Sequence, residues 1–222
     1  MDTYSLWVFT HILLFVYWLG ADAGLYLVMV FVKNGTLSFE TRATLIRLAF
    51  YIDLFPRICF ALILPVGMHL VRDLGLYPIS NGLMALGWAS GILWSALHLG
   101  MVKFRNTGTS TVLARINRYY EGIGGLFFVL LGASALASEE PTIGTAWLAW
   151  KLLLFGLVFW VILGFDTMFR PFTTIMRMGP EGSTPEMEEK ISRTVNRTMA
   201  WSILLYLLIA AIAFLGTVKP SW

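Results

Sequence analysis

Three side chains that can ligate a metal ion or a haem iron lie inside long apolar runs of the sequence. His11 lies in the run from Trp7 to Val32, which contains no lysine, arginine or proline. His69 lies near the end of the second such run and Lys151 near the start of the fifth. If each run crosses a membrane as a helix, all three lie at one depth, and neutral imidazole is a ligand for metals and haem iron.

Simpler roles are open for the same residues. His11 and His69 can hydrogen-bond to helix backbones, and Lys151 can extend to the membrane surface. His98, beside two glycines spaced four residues apart, is a further candidate for holding a second cofactor. Met68 adjoins His69, and a thioether beside an imidazole suits copper.

A second set of ionisable residues lies toward the opposite ends of the apolar runs. The set comprises Asp22, Asp53, Arg57, Arg118, Glu121, Asp166 and Arg170. Three pairs of opposite charge within it are spaced three or four residues apart, which lets them meet on a helix. We interpret the set as structural ion pairs rather than a proton path, with Arg57 or His98 as the expected partner of Asp22.

One helical stripe joins the two sets in the first run. His11 and Asp22 are 11 residues apart, about three turns of helix. The stripe consists of His11, Phe15, Trp18, Asp22, Leu25 and Met29. Ionisable residues on a spanning helix are costly in lipid, so this face is expected to contact protein, water or a cofactor.

The composition excludes an ordinary soluble domain. Of the 222 residues, 58% are hydrophobic and 13% are charged, whereas soluble domains carry about 25% charged residues. The single cysteine, Cys59, excludes a disulfide framework and a thiolate cluster. The net charge of +3 comes from residues at helix ends, so no nucleic-acid partner is expected.

Six helices are predicted, forming one transmembrane domain over residues 1–222. They cover about residues 7–32, 48–71, 83–102, 112–137, 145–169 and 195–218. The second helix has an amphipathic start after Ser38, and the sixth has an amphipathic lead-in. Pro56 and Pro65 are expected to kink the second helix. Thr109 or Ser110 is expected to cap the fourth helix, and Thr184 the lead-in to the sixth.

Lysine and arginine concentrate in the first, third and fifth loops. The other loops and the tails contain only Arg72 and Lys219. Because short cytoplasmic loops are enriched in these residues, both termini are expected on the periplasmic or exterior side of a bacterial inner membrane. The fold class is therefore an all-α, polytopic six-helix bundle.

Two motifs resemble a family of small bacterial membrane proteins. THILLFVYWLG contains His11 followed seven residues later by Trp18, and TIGTAWLAWKLLLFGLV places Lys151 near the start of a helix. Both are similar to motifs of the copper-resistance D type proteins and the haem-dependent protoporphyrinogen oxidases. The resemblance implies that His11 and Lys151 lie at a haem or metal site and contact the bound group.

The leading hypothesis is a protein that binds haem b, with His11 and either His69 or Lys151 as ligands. It would act in electron transfer or oxidation, as a haem oxidoreductase or a subunit of one. Its expected partners are membrane lipid, a quinone or a redox subunit, and a second copy of the chain. The alternatives are a copper or other metal-ion permease using His11, Met68 and His69, and a non-catalytic subunit of a larger complex.

Overall fold

The computed structural model describes residues 2–138, 143–168 and 183–221, with side chains in the second range described to residue 165. The described residues form helices and connecting turns, without strands. The helices are α1 (Thr3–Val32), α2 (Phe39–Ile52), α3 (Leu54–Asp73), α4 (Asn81–Lys103), α5 (Gly108–Ala137), α6 (Ala146–Met168) and α7 (Pro185–Val218).

Side-chain caps set most of the helix starts. Asp2, Ser38, Ser80, Thr107 and Thr184 each accept a hydrogen bond from a backbone N–H in the first turn of the following helix. Each cap satisfies one of the donors that a helix start leaves unpaired. The caps at positions 38 and 184 match the sequence prediction. The fourth predicted helix starts four residues earlier than expected, because the cap lies at position 107 rather than at 109 or 110.

Pro56 divides the second predicted helix into α2 and α3. A proline ring clashes with the carbonyl four residues earlier, which here belongs to Ile52, the last residue of α2. Asp53 joins the two helices, and Pro56 then lies in the first turn of α3, where its missing N–H costs little. Pro65 is inside α3. The effect of Pro56 is therefore a break between two helices rather than a kink within one.

Within the described residues, six helical segments are long and apolar enough to span a membrane. They are α1, the combined α2 and α3, α4, α5, α6 and α7. Large apolar side chains cover the outside of the bundle, such as Phe9, Leu93 and Ile123, which are 62%, 70% and 67% exposed. An apolar exterior of this kind suits lipid and not water. The fold therefore indicates an all-helical, multi-pass membrane protein.

The spanning helices form a closed ring in which α1, α3, α4, α5, α6 and α7 each contact the next, and α7 contacts α1. We call the end of the bundle where α1 starts and α7 ends the upper end, and the other the lower end. Aromatic side chains fill the centre of the ring. Phe60 lies 4.7 to 5.2 Å, between ring centroids, from Trp18, Trp94, Phe155 and Phe159. This cluster separates the upper half of the interior from the lower half.

Candidate functional site

A large cavity lies in the upper half of the bundle, between α1, α3, α6 and α7. Its volume is about 560 Å³, and most of its lining side chains are apolar. The basic residues that line it are His11 from α1, Lys151 from α6, and Lys219, which directly follows α7. We call this space the upper cavity. Its volume lies within the range of about 300 to 1,000 Å³ that is typical of small-molecule sites.

His11 is held in the upper cavity by contacts with α3. Its imidazole lies against the backbone of Ile63 and against Gly67, where an added Cβ would lie 3.3 Å from His11 Cε1. The absence of a side chain at Gly67 therefore gives the ring room beside α3. His11 Nδ1 is buried and has no hydrogen-bond partner in the described structure. A buried nitrogen without a partner requires an explanation, and a bound ligand would supply one.

Lys151 lies on the opposite wall of the upper cavity, where α6 meets α7. Its amine is packed against Gly216, because a Cβ at that position would lie 2.5 Å from Lys151 Nζ. Lys219 Nζ lies 5.9 Å from the ring centroid of Trp147, one turn before Lys151. Since no side chain occupies position 216, the lysine can lie along α7 within the cavity. Two amines therefore line this part of the cavity, Lys151 Nζ within α6 and Lys219 Nζ just after α7.

His69 does not line the upper cavity. Its Nε2 accepts a hydrogen bond of 3.0 Å from Trp88 Nε1, and its Nδ1 lies 3.4 Å from Arg72. Its ring stacks on Trp7, with 3.9 Å between centroids and 9° between planes. Both nitrogens are therefore occupied by neighbouring side chains. The structure brings His11 and Lys151 to one cavity and places His69 outside it.

His98 is buried in α4, with only 2% of its surface exposed. Its ring centroid lies 5.5 Å from that of Trp94, and neither ring nitrogen has a hydrogen-bond partner among the described residues. It does not line the upper cavity. His98 is therefore separate from the pair formed by His11 and Lys151.

Arg57 is the centre of a polar network in the lower half. Its Nε lies 2.6 Å from Asp53 Oδ2 and its NH1 lies 3.8 Å from Glu121 Oε1. Asn117 donates to Glu121 over 2.9 Å and accepts from Trp94 Nε1 over 2.8 Å. The network therefore joins α3 to α5 through an ion pair and α4 to α5 through buried hydrogen bonds, which are costly to leave unmade.

The remaining members of the charged set lie in different surroundings. Glu121 pairs with Arg57 on another helix, and the described contacts include no ion pair between Glu121 and Arg118. Asp22 has no ion pair within 4.0 Å in the described part of the chain, so the expected pair with Arg57 or His98 is not formed. The side chain of Asp166 and all of Arg170 lie outside the described residues.

Asp22 lines a second, smaller space in the lower half, which we call the lower chamber. Its volume is about 50 Å³, and α1, α3, α6 and α7 surround it together with Asp53. Trp18 lines both the lower chamber and the upper cavity and is 3% exposed. The two spaces therefore lie one above the other, with Trp18 as a shared wall.

Sequence reasoning missed several residues that shape these sites. Gly67 and Gly216 make room for the two basic side chains, but a single glycine in an apolar helix gives no signal of what it faces. Arg42 is one of the basic residues between the first two apolar runs, and its contacts could not be predicted from the sequence. It donates from Nε to the carbonyl of Val32 over 2.9 Å and pairs with Glu188 of α7 over 2.5 Å. It therefore holds the lower ends of three helices together.

The fold and the two spaces define a multi-pass helical membrane protein with a ligand-sized cavity. Among the side chains that the structure describes, no group of three or more histidine, cysteine, aspartate or glutamate residues is placed to hold a metal ion. Comparison with protein-family models, with curated proteins and with solved structures found no match.

Proposed function

We propose that this chain is a b-type haem protein of the bacterial inner membrane, in which the upper cavity holds the porphyrin and His11 and Lys151 are the iron ligands. The observation that supports the proposal is the placement of these two residues in one apolar cavity of about 560 Å³. Apolar walls suit a porphyrin, and a few placed polar groups fix its orientation. The resemblance of the motifs around His11 and Lys151 supports the same pairing.

His11 fits the role of an axial ligand. Its Nδ1 is buried without a hydrogen-bond partner in the described structure, and histidine is the common axial ligand of haem proteins. Contact between its ring and the backbone of Ile63 limits rotation of the imidazole. Such orienting contacts behind a ligand tune its position and basicity.

Lys151 fits the role of the second iron ligand better than His69 does. A neutral amine has a lone pair that it can donate to iron, and Lys151 lines the upper cavity. His69 is instead occupied by Trp88 and Arg72, outside the cavity. Lys219 adds a positive charge to the lining, which suits an anionic group on the bound molecule.

The proposed role is electron transfer or oxidation, with a quinone or a redox subunit as the partner. Haem supplies an iron that changes oxidation state, while the chain's own residues ligate it and exclude water. From the distribution of lysine and arginine we place both termini, and therefore the upper cavity, on the periplasmic side. The proposed partner would therefore approach from that side or from the lipid.

A copper or other metal-ion permease is less well supported. That function would use His11, Met68 and His69 together. Met68 lines the upper cavity with His11, but His69 does not. Its ring nitrogens face Trp88 and Arg72 instead.

An absorption spectrum of the full chain, expressed with adequate haem and purified in detergent, tests the proposal. We expect a Soret band and a reduced-minus-oxidised difference spectrum of haem b. His11→Ala should abolish the bound haem, and Lys151→Met should change the spectrum by removing the amine while keeping an apolar side chain of similar length. His69→Ala is the matched control, because it removes an imidazole outside the cavity, and its spectrum should equal that of the wild type.

The absence of a Soret band from the wild-type protein would refute haem binding. It would favour the hypothesis of a non-catalytic subunit, unless the protein contained copper. Loss of haem in His69→Ala together with its retention in His11→Ala would refute the ligand assignment alone.

A further inference from the structure

The lower chamber is a partly open space whose lining includes several ionisable side chains. Its volume of about 50 Å³ has room for a few water molecules, each of which needs at least about 10 to 15 Å³. Asp22 and Tyr26 line it from α1, Asp53 and Arg57 from the region around the start of α3, and Tyr206 from α7. Water in such a space can carry protons to a buried carboxyl group.

Among the described residues around this chamber, carboxyl groups outnumber cations. Arg57 is the one basic residue of the described lining, and it lies 2.6 Å from Asp53 and 3.8 Å from Glu121. Asp22 is a third carboxyl group and has no ion pair within 4.0 Å in the described part of the chain. An unpaired charge at membrane depth is costly, and a carboxyl group avoids that cost by binding a proton.

Three of the hydroxyl groups around the chamber donate their hydrogen bonds elsewhere. Tyr206 donates to the backbone carbonyl of Asp22 over 2.8 Å, and Thr198 and Ser202 donate to carbonyls of their own helix over 3.0 and 3.1 Å. Asp22 Oδ2 is buried and accepts no hydrogen bond in the described structure. A proton on that oxygen would make it a donor to water in the chamber.

We propose that Asp22 is a proton-binding site and carries its proton at neutral pH. The proton comes from bulk water at the lower end and leaves the carboxyl group uncharged. The titratable and charged groups that face Asp22 are Asp53 and Arg57, Cys59 of α3, and Tyr26 and Tyr206. The charge of Arg57 is shared by Asp53 and Glu121, so Asp22 is the carboxyl group that the network leaves to a proton.

The site is independent of what the upper cavity binds. Trp18 separates the chamber from that cavity and packs on Phe60, with 4.9 Å between the ring centroids. The arrangement places the proposed proton site and the upper cavity on either side of Trp18.

Infrared spectroscopy of the full chain in lipid nanodiscs tests the proposal. We expect the spectrum of wild type minus Asp22→Asn at neutral pH to contain the C=O stretching band of one protonated carboxyl group, shifted down in D₂O. Asp53→Asn is the matched control, since Asp53 is paired with Arg57 and its removal should delete a carboxylate band instead. Loss of a carboxylate band in Asp22→Asn would overturn the proposal.

A second measurement uses the wild-type protein and so does not depend on the folding of a variant. Dicyclohexylcarbodiimide is a lipid-soluble reagent that modifies protonated carboxyl groups in apolar surroundings. After reaction at neutral pH, mass spectrometry should find the label at Asp22 and not at Asp53, with a yield that falls at alkaline pH. Preferential labelling of Asp53, or labelling of neither residue together with a carboxylate band for Asp22, would overturn the assignment.

Discussion

Replacing Gly156 by alanine should separate α5 from α6. A Cβ at this position would lie 2.6 Å from Val129 N, 2.7 Å from Gly125 O and 2.8 Å from Val129 Cγ2. Ordinary van der Waals contact begins at 3.4 Å, so these distances are short by 0.8, 0.7 and 0.6 Å. Two of the three atoms belong to the backbone of α5, which cannot rotate away as a side chain can. The helices must therefore move apart by several tenths of an ångström.

Gly156→Ala should lower the free energy of unfolding because it adds a methyl group to the close-packed interface of α5 and α6. Inserting a methyl group into a well-packed core typically costs about 1 to 3 kcal/mol. Alanine regains up to about 1 kcal/mol in helix propensity relative to glycine, so the net loss should be smaller than the packing cost alone. The matched control is Gly122→Ala on α5, since nothing lies within 4 Å of a Cβ there. That variant should be as stable as the wild type or slightly more stable.

Unfolding in mixed micelles, with increasing SDS and followed by circular dichroism, measures the difference. We expect Gly156→Ala to unfold at lower SDS than both the wild type and Gly122→Ala. Gly132→Ala should behave like Gly156→Ala, because its Cβ would lie 2.6 Å from Ala149 O and Leu153 N. Equal stability of Gly156→Ala and Gly122→Ala would refute the close approach of α5 and α6.

Three further predictions concern buried polar groups, with the same unfolding assay for the first two. Glu188→Gln should cost about 1 to 3 kcal/mol, since it leaves the buried guanidinium of Arg42 without its carboxylate, and an unchanged stability would contradict that contact. Asn117→Ala should cost a similar amount by leaving Trp94 Nε1 unpaired, and a neutral result would contradict the network. Cys59 is buried, so a maleimide should label it only after unfolding, and rapid labelling of the folded protein would contradict its burial.

The spanning segments could be predicted from the sequence because the signal is local. Apolar length identifies a membrane span without any knowledge of its neighbours. Thr184 and Pro185 identify the start of α7 for the same reason, since a cap acts on its own first turn. The start of α5 was misplaced because Gly108, a weak helix former, occupies its first position and hides the cap at Thr107.

The candidate ligands were only partly predictable. The order of the apolar runs predicts how deep a residue lies in the membrane, but it does not predict which neighbouring helix its side chain faces. His11 and Lys151 were expected at one depth, and the upper cavity contains both. His69 lies on α3 near the upper cavity, but its side chain faces Trp88 and not the cavity. The residues of α3 that line the cavity include Leu64, Gly67, Met68 and Val71, which share a helical face. Position 69 is turned by about 100° from position 68, toward Trp88.

The predicted pair of Asp22 with Arg57 or His98 on another helix is not formed in the described structure, because the sequence does not show which other side chains those partners contact. Arg57 is four residues from Asp53 and also reaches Glu121 on α5. Two carboxyl groups therefore already share the guanidinium of Arg57, and Asp22 forms no ion pair with it among the described contacts. No rule of local spacing shows that competition, since it depends on which helices are neighbours in the ring.

The stripe along α1 gives the two spaces their common axis. Phe15 and Trp18 line the upper cavity with His11, and Trp18 also lines the lower chamber with Asp22. Because a helix rises about 1.5 Å per residue, the backbones of His11 and Asp22 are about 16 Å apart along α1. Trp18 lies between them on the same face. A change in the position of this one indole would alter both spaces at once, so the proposed ligand site and the proposed proton site share one wall residue.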